Sequence, residues 1–457
     1  MKNIVTILVF ACAQLWAQTD PLTMTTAQVV KDMGLGINIG NTMEARIVCD
    51  PGDSGCENWV NGMETLETSW GSPEITNAIV KGYADAGFKT VRIPVAWSNR
   101  MTGDNAGGTY TINPALMNRV EQIVNYVLGN GMYAIVNIHW DGGWWEKFPT
   151  DSAECMKKYI RIWEQITAKF KDKSGYLVFE SLNEEGVWQS VWNQYDNSGN
   201  KDRAYGLLNS INQKFTDLVR ASGGNNGERH LLIAGYATNI DRTIDPLFKM
   251  PTDSKNRQAV SVHYYDPFGF THINEDGEWT DFIGTWGTPA DINALNNEMD
   301  KMKTTFVDND IPVIIGEYGF AAKLNDSRGR TQAQVRNYTL KVAEAIYTRD
   351  MCPVLWDVQL NPDNGEVIYY YNRKSTPPAF TDQQLVAGFK NIVGEDGETP
   401  TLNDHPADVR QRVSSAWASQ LVSYYTIKGV PLGNVKPQKA GVYIVKQGNS
   451  VKKIAVK

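Results

Sequence analysis

Cysteine and histidine are scarce, five of each among 457 residues. Neither occurs at zinc-type spacing, so no structural metal is indicated. An excess of positive charge is also missing: the formal net charge is −7 and the pI about 5.4. That balance argues against nucleic acid or an anionic membrane surface as a partner. The apolar run at the N-terminus, residues 4–13, is too short to cross a bilayer, and no transmembrane span is expected. What the chain has in quantity is aromatic surface, with 14 Trp and 20 Tyr. Many of these fill a core, but sugar-holding proteins also use aromatic faces, because the C–H faces of a pyranose stack on them. With 42% apolar residues, the chain can form one large domain plus appendages.

Residues 1–17 read as a secretory signal: Lys2 supplies the positive start, 4–13 the apolar core, and Ala17 the cleavage point. Leu15 is larger than that cut prefers. A lipoprotein box at Val9-Phe10-Ala11-Cys12 is the alternative, and Phe10 fits it badly. Either way the protein is expected outside the cell or on its surface. Cys49, Cys56, Cys155 and Cys352 then remain. Cys49 and Cys56 flank a Pro-Gly-Asp-Ser-Gly loop and could close a small disulfide ring in an oxidising compartment. The other possibility is that all four are free thiols.

Strand-like runs alternate with amphipathic stretches about eight times. The strand runs are 33–39, 90–94, 133–138, 177–179, 231–234, 259–262, 312–315 and 353–356. Helical patterns occupy 73–86, 114–128, 152–170, 203–221, 292–307 and 332–347, with Ser72-Pro73 and Asn113-Pro114 as start signals. The element between the fifth and sixth strands reads as short, and 408–425 as a helix closing the ring. Repeated β-then-α units of this number predict a (β/α)8 TIM barrel with long loops on its C-terminal face. Two long connections, 266–290 and 357–406, follow strands and would wall a cleft there. The reading divides the chain into a signal peptide (1–17), a catalytic domain (18–428), and a linker with a C-terminal hairpin (429–457) turning at Gly448-Asn449. That hairpin resembles the end of type IX secretion sorting domains, or it is an ordinary terminal hairpin.

Two apolar runs end in a carboxylate. Tyr176–Phe179 leads into Glu180, Asn183, Glu184 and Glu185, and Ile311–Ile315 leads into Glu317. On the active-site face of a barrel, Glu184 and Glu317 would meet in one cleft. A pair about 5 Å apart suits retaining glycoside hydrolysis, with Glu184 as acid/base at a raised pKa and Glu317 as an ionised nucleophile. Arg92 lies in a strand built to be buried, so it needs an anionic partner: Glu317, or another acid as a structural pair. His139 and His263 end strands, and Tyr265 shares a face with His263. With Asn183 they could hold sugar hydroxyls. Trp356 is the candidate stacking platform, and Trp144 and Trp145 are candidates for neighbouring subsites.

Eight stretches carry a resemblance to glycoside hydrolase family 5, a clan A retaining family. They are Gly-Ile-Asn-Ile-Gly-Asn-Thr-Met-Glu-Ala (36–45), Thr-Ser-Trp-Gly-Ser-Pro (68–73), Val-Arg-Ile-Pro-Val-Ala-Trp (91–97), Val-Asn-Ile-His (136–139), Phe-Glu-Ser-Leu-Asn-Glu (179–184), Val-His-Tyr-Tyr (262–265), Ile-Gly-Glu-Tyr-Gly (315–319) and Leu-Trp-Asp (355–357). The chain is most similar to subfamily 4, the endo-β-1,4-glucanases, which includes xyloglucan- and mixed-linkage-glucan-active enzymes. The resemblance implies Glu184 as acid/base and Glu317 as nucleophile. It places Arg92, His139, Asn183, His263, Tyr265 and Trp356 around the sugar, and Asn38, Trp140 and Trp144 among the substrate-binding residues. Ile37 stands where a Trp is usual and Trp140 where a second His is common, which bears on substrate preference. The expected protein is a monomeric, secreted, cofactor-free endo-β-1,4-glucanase acting on cellulose and mixed-linkage β-glucan. Xyloglucan or mannan is the alternative within the family. A decayed, glycan-binding barrel and a metal-dependent lyase are rivals from other classes.

Overall fold

A computed structural model describes residues 19–45, 67–273, 280–322, 329–359 and 370–394, and the strand segments 422–426, 431–433, 441–447 and 450–456. Eight parallel strands close into a barrel. They are β1 (Gly36–Asn38), β2 (Thr90–Ile93), β3 (Tyr133–Val136), β4 (Leu177–Glu180), β5 (Leu231–Ala234), β6 (Gln258–Tyr264), β7 (Val313–Tyr318) and β8 (Cys352–Leu355). Every residue in them except Gln258 is buried. That is why the strands read as unbroken apolar runs: helices cover the outer face and side chains fill the inside. This is the (β/α)8 barrel that the alternation predicts.

The outer ring comprises α2 (Asn77–Asp85), α3 (Pro114–Gly129), α4 (Ser152–Phe170), α5 (Lys201–Ala221), the single turn α6 (Ile240–Thr243), α7 (Pro289–Thr305), α8 (Gln332–Tyr347) and α9 (Gln383–Val393). Helix α4 shows how these elements dock. Tyr159, Ile162, Trp163, Ile166 and Phe170 recur at helical spacing and are all buried. The Trp163 ring lies 5.5 Å from Phe179 of β4 and 4.6 Å from Phe215 of α5, so one indole joins strand to neighbouring helix.

Four differences from the sequence reading have physical causes. Pro73 is not a helix start. Thr76 caps α2 by accepting from the Ile79 amide, and the preceding stretch is tied down where Glu67 receives both the Ile75 N–H and Arg119. Met33 is not in a strand but ends a helix, α1 (Thr26–Asp32), begun by a Thr25/Gln28 capping box. Val29, Val30 and Met33 pack there on Tyr133, Ile135, Val178 and Leu232, forming a second core beside the strands. The helix that completes the ring is α9, inside the 357–406 connection, where Phe389 packs on Phe88 and Gly388 lies against Leu340 of α8. Residues 422–425 of the expected closing helix 408–425 are instead strand, and 408–421 lie outside the described residues.

The strands β9 (Val422–Thr426), β10 (Pro431–Gly433), β11 (Gly441–Gln447) and β12 (Ser450–Val456) form a separate antiparallel sheet in the order β10-β9-β11-β12. Its β11–β12 hairpin pairs Gln447 with Ser450, around the expected turn. Residues 1–17, Cys49 and Cys56 lie outside the described residues. Cys155 and Cys352 are buried free thiols.

Candidate active site

Strand β2 carries Thr-Val-Arg-Ile, and strand alternation turns Arg92 into the barrel. A buried guanidinium costs heavily unless its donors are met. Here Nε donates to Glu180 Oε2 at 2.7 Å and Nη2 to Asn183 Oδ1 at 2.8 Å. Nη1 reaches Glu317 Oε1 at 2.7 Å and Asn38 Oδ1 at 3.1 Å. Strands β1 and β2 pair Asn38 with Arg92, so the contact follows from register. The Asn38 amide donates in turn to the carbonyls of Gly316 and Leu355, tying β1 to β7 and β8.

Glu317 is aimed by a bulge. Opposite β6, Val262 pairs with Ile315 but His263 pairs with Glu317, leaving Gly316 as the extra residue on β7. A Cβ at Gly316 would stand 3.0 Å from Ser261 Oγ and 3.3 Å from His263 Nε2, so any larger residue would press on both. The bulge sets Glu317 beside both His263 and the Tyr265 hydroxyl, which donates to Oε2 at 2.8 Å.

The three acids after the fourth apolar run separate. Glu180 stays inside the barrel, accepting from Arg92 and, at 2.5 Å, from Ser261. Glu185 folds back to accept the Asn183 amide at 2.6 Å and fixes the turn. Glu184 alone reaches the cleft, its side chain 52% exposed, and bonds His263 Nδ1 at 2.7 Å. One carboxylate oxygen of Glu184, one of Glu317 and a ring nitrogen of His263 lie within 4.8 Å of one another. Three such atoms resemble a metal-ligand set. Arg92, however, already gives Glu317 a positive partner, and His263 Nδ1 is engaged by Glu184.

Burial is the largest influence on Glu317 and raises its carboxyl above the ordinary range, against the pull of His263 and Arg92. Burial also works upward on Glu184, but the His263 hydrogen bond and field, with Arg92, outweigh it and hold that carboxyl low. These directions are opposite to those expected from sequence, because burial prevails at Glu317 while the direct His263 hydrogen bond prevails at Glu184. Burial, then Arg92 and His263, hold His139 well below its usual value, which leaves it neutral. Burial and the two carboxylates push Tyr265 far up, so it stays a phenol able to donate.

Trp356 follows β8, and its ring stacks on His139 with centroids 5.7 Å apart and planes 7° from parallel. Its backbone is held from behind: Asp357 accepts from the Tyr370 and Tyr371 amides and from Arg373, which also donates to the Gly40 carbonyl. Trp140 is exposed beside His139. Two expectations change. Asn38 is fully buried and holds Arg92 and two strand ends from within the barrel. Ile37 is fully buried on the outer side of β1 and shapes no subsite. Trp144 is half-buried, bonds Asp141 through its indole N–H and packs on Trp145 and Phe148 at the edge of the core.

The sequence model of the family described as "Cellulase (glycosyl hydrolase family 5)" matches residues 53–361. The chain belongs to glycoside hydrolase family 5. It is 34% identical over 373 residues to Endoglucanase A of Paenibacillus barcinonensis, covering 77% of this chain and 86% of that one. It is also 34% identical over 349 residues to the xyloglucan-specific endo-β-1,4-glucanase of Bacteroides ovatus, covering 73% and 65%. Among solved structures it is similar to a GH5-4 broad specificity endoglucanase from an uncultured bovine rumen ciliate, with a TM-score of 0.70 and 31% identity over 82% of this chain and 99% of that one. The chain is therefore a glycoside hydrolase on a family 5 barrel. No helix among the described residues is long and apolar enough to cross a membrane.

Residue types alone did not single out Glu180 and Ser261. Ser261 lies two residues before His263 on the same strand face, which was a usable signal. Arg373 comes from a loop, and no periodicity marks a loop residue that folds back.

Proposed function

We propose that this family 5 enzyme is an exported, retaining endo-β-1,4-glucanase that cleaves cellulose and mixed-linkage β-glucan as a monomer, without metal or cofactor. One observation carries the reading: a carboxylate oxygen from the end of β4 lies within 4.8 Å of one from the end of β7. Such close approach of the two carboxylates suits direct attack by Glu317 better than the wider spacing used for inversion.

In the first step a Glu317 oxygen forms a bond to the anomeric carbon, the glycosidic C–O bond breaks, and Glu184 gives its proton to the departing oxygen. In the second step water attacks the same carbon, Glu184 takes the water's proton, and the ester to Glu317 breaks. A glucan lying against the exposed half of Glu184 excludes water from it and raises its proton affinity, reversing the bias His263 imposes. Arg92 and the Tyr265 hydroxyl stabilise the Glu317 carboxylate as it departs from the sugar. The His139–Trp356 stack offers an apolar floor for the pyranose.

The test is incubation with carboxymethyl-cellulose, barley mixed-linkage glucan, xyloglucan and galactomannan in parallel, with EDTA present, reading reducing ends. Cleavage of the first two is expected. Xyloglucan is the second reading, favoured by the Bacteroides ovatus relative, and a clear preference for it would rename the substrate. Activity on galactomannan alone, or loss of activity to EDTA, would overturn the proposal.

A further inference from the structure

The proposed mechanism uses Arg92 as the partner of Glu317, yet the guanidinium is divided. Its Nε lies 2.7 Å from Glu180 Oε2 and its Nη1 2.7 Å from Glu317 Oε1, with neither Arg92 nor Glu180 exposed at all. Two acids therefore face one cation in a space almost closed to water, where charges act strongly on one another. We propose that Glu180 is a positioning residue that competes with Glu317 for Arg92, and so sets how much of the guanidinium's charge reaches the nucleophile. The proposal rests on the reading of Glu317 as that nucleophile.

Glu180 has no other evident task at the cleft. It is sealed inside the barrel, and its two oxygens are spent on Arg92 and on the Ser261 hydroxyl at 2.5 Å. Ser261 thus tunes the competitor, since its hydrogen bond relieves Glu180 of part of its charge and loosens its hold on Arg92. Around these groups, the segment after β3 contributes His139 beside Arg92, and β6 contributes His263 and, beyond its end, Tyr265, both against Glu317. The segment after β4 contributes Glu184 and Glu185, and β1 the neutral Asn38. Of the acids in this cluster bonded to Arg92, Glu180 is the one that does not face the cleft. A carboxylate given the whole of Arg92 would be held more firmly as an anion and would be a weaker nucleophile, and sharing avoids this.

The experiment is the pH dependence of kcat at saturating mixed-linkage glucan, where bound substrate has raised the proton affinity of Glu184 and the acid limb reports Glu317, for the full chain, Glu180→Gln and Ser261→Ala, with Glu317→Gln as control and thermal melting to establish folding. Removing the charge of Glu180 leaves Arg92 to Glu317, so the acid limb should move down by about one pH unit. Removing the Ser261 hydroxyl strengthens the competitor, so that limb should move up by a few tenths of a unit. Opposite shifts support the proposal. If Glu180→Gln does not fold, the upward shift in Ser261→Ala decides alone. A fall in kcat with the acid limb unmoved in the folded variants would mean that Glu180 only supports the barrel, and would overturn the idea. A fully active Glu317→Gln would instead overturn the nucleophile assignment, and the proposal with it.

Discussion

Arg92 shows how much of this site depends on single side chains whose neighbours are set by strand register. On the proposed mechanism, Glu317→Gln keeps the shape and hydrogen-bonding capacity of the side chain but removes the attacking anion. Activity should fall on the order of 10⁴-fold or more while the melting temperature changes little, measured by reducing-end assay and thermal unfolding. Glu44 offers a test of stability. It is buried beneath the turn after β1, accepts the amides of Asn41 and Thr42, and burial raises its carboxyl to about 7. A carboxyl raised on folding contributes stability below its unfolded value near 4.5 and loses that contribution as pH rises through about 7. Glu44→Gln should therefore gain on the wild type by up to about 3 kcal/mol between those limits, read as the pH dependence of the difference in unfolding free energy. A difference that stays flat with pH would show that Glu44 is ionised throughout.

At the scale of elements, the barrel is shaped by places where regular pairing breaks. The Gly316 bulge turns Glu317 toward Tyr265 and His263, and Gly316→Ala would press a methyl against Ser261 and His263. A displacement of a few tenths of an ångström there should lower kcat by about 10- to 100-fold with KM less affected, because positioning and not affinity is disturbed. Helix α9 can be tested independently of catalysis. A Cβ at Gly388 would come within 2.4 Å of Leu340 Cδ1, so Gly388→Val should cost about 1–3 kcal/mol on thermal or denaturant unfolding. KM of the folded fraction should be unchanged. These two glycines look alike in the sequence, but one sits at a bulge and the other at a helix crossing.

At the scale of the whole molecule, on the proposed reading a net charge of −7 meets an uncharged polysaccharide, so long-range attraction has nothing to act on. KM should change less than about twofold between low salt and roughly half-molar NaCl, whereas an enzyme drawing in a charged substrate would lose affinity steeply. The order of strands and helices, and the pairing of two carboxylates across the barrel, were legible in the chain because buried parallel strands must be apolar and must end on one face. Glu184, Glu317, Arg92 and His263 could be named on that ground. The division of Arg92 between Glu180 and Glu317, the burial of Asn38 inside the barrel, and the identity of the closing helix could not. They arise from strand register, a one-residue bulge and the folding of a long connection, all settled by contacts between residues far apart in the chain. Local sequence dictates which residues are buried and which strand end they occupy. Only closure of the barrel decides that a single buried cation must serve two buried acids, because that depends on distances across its interior.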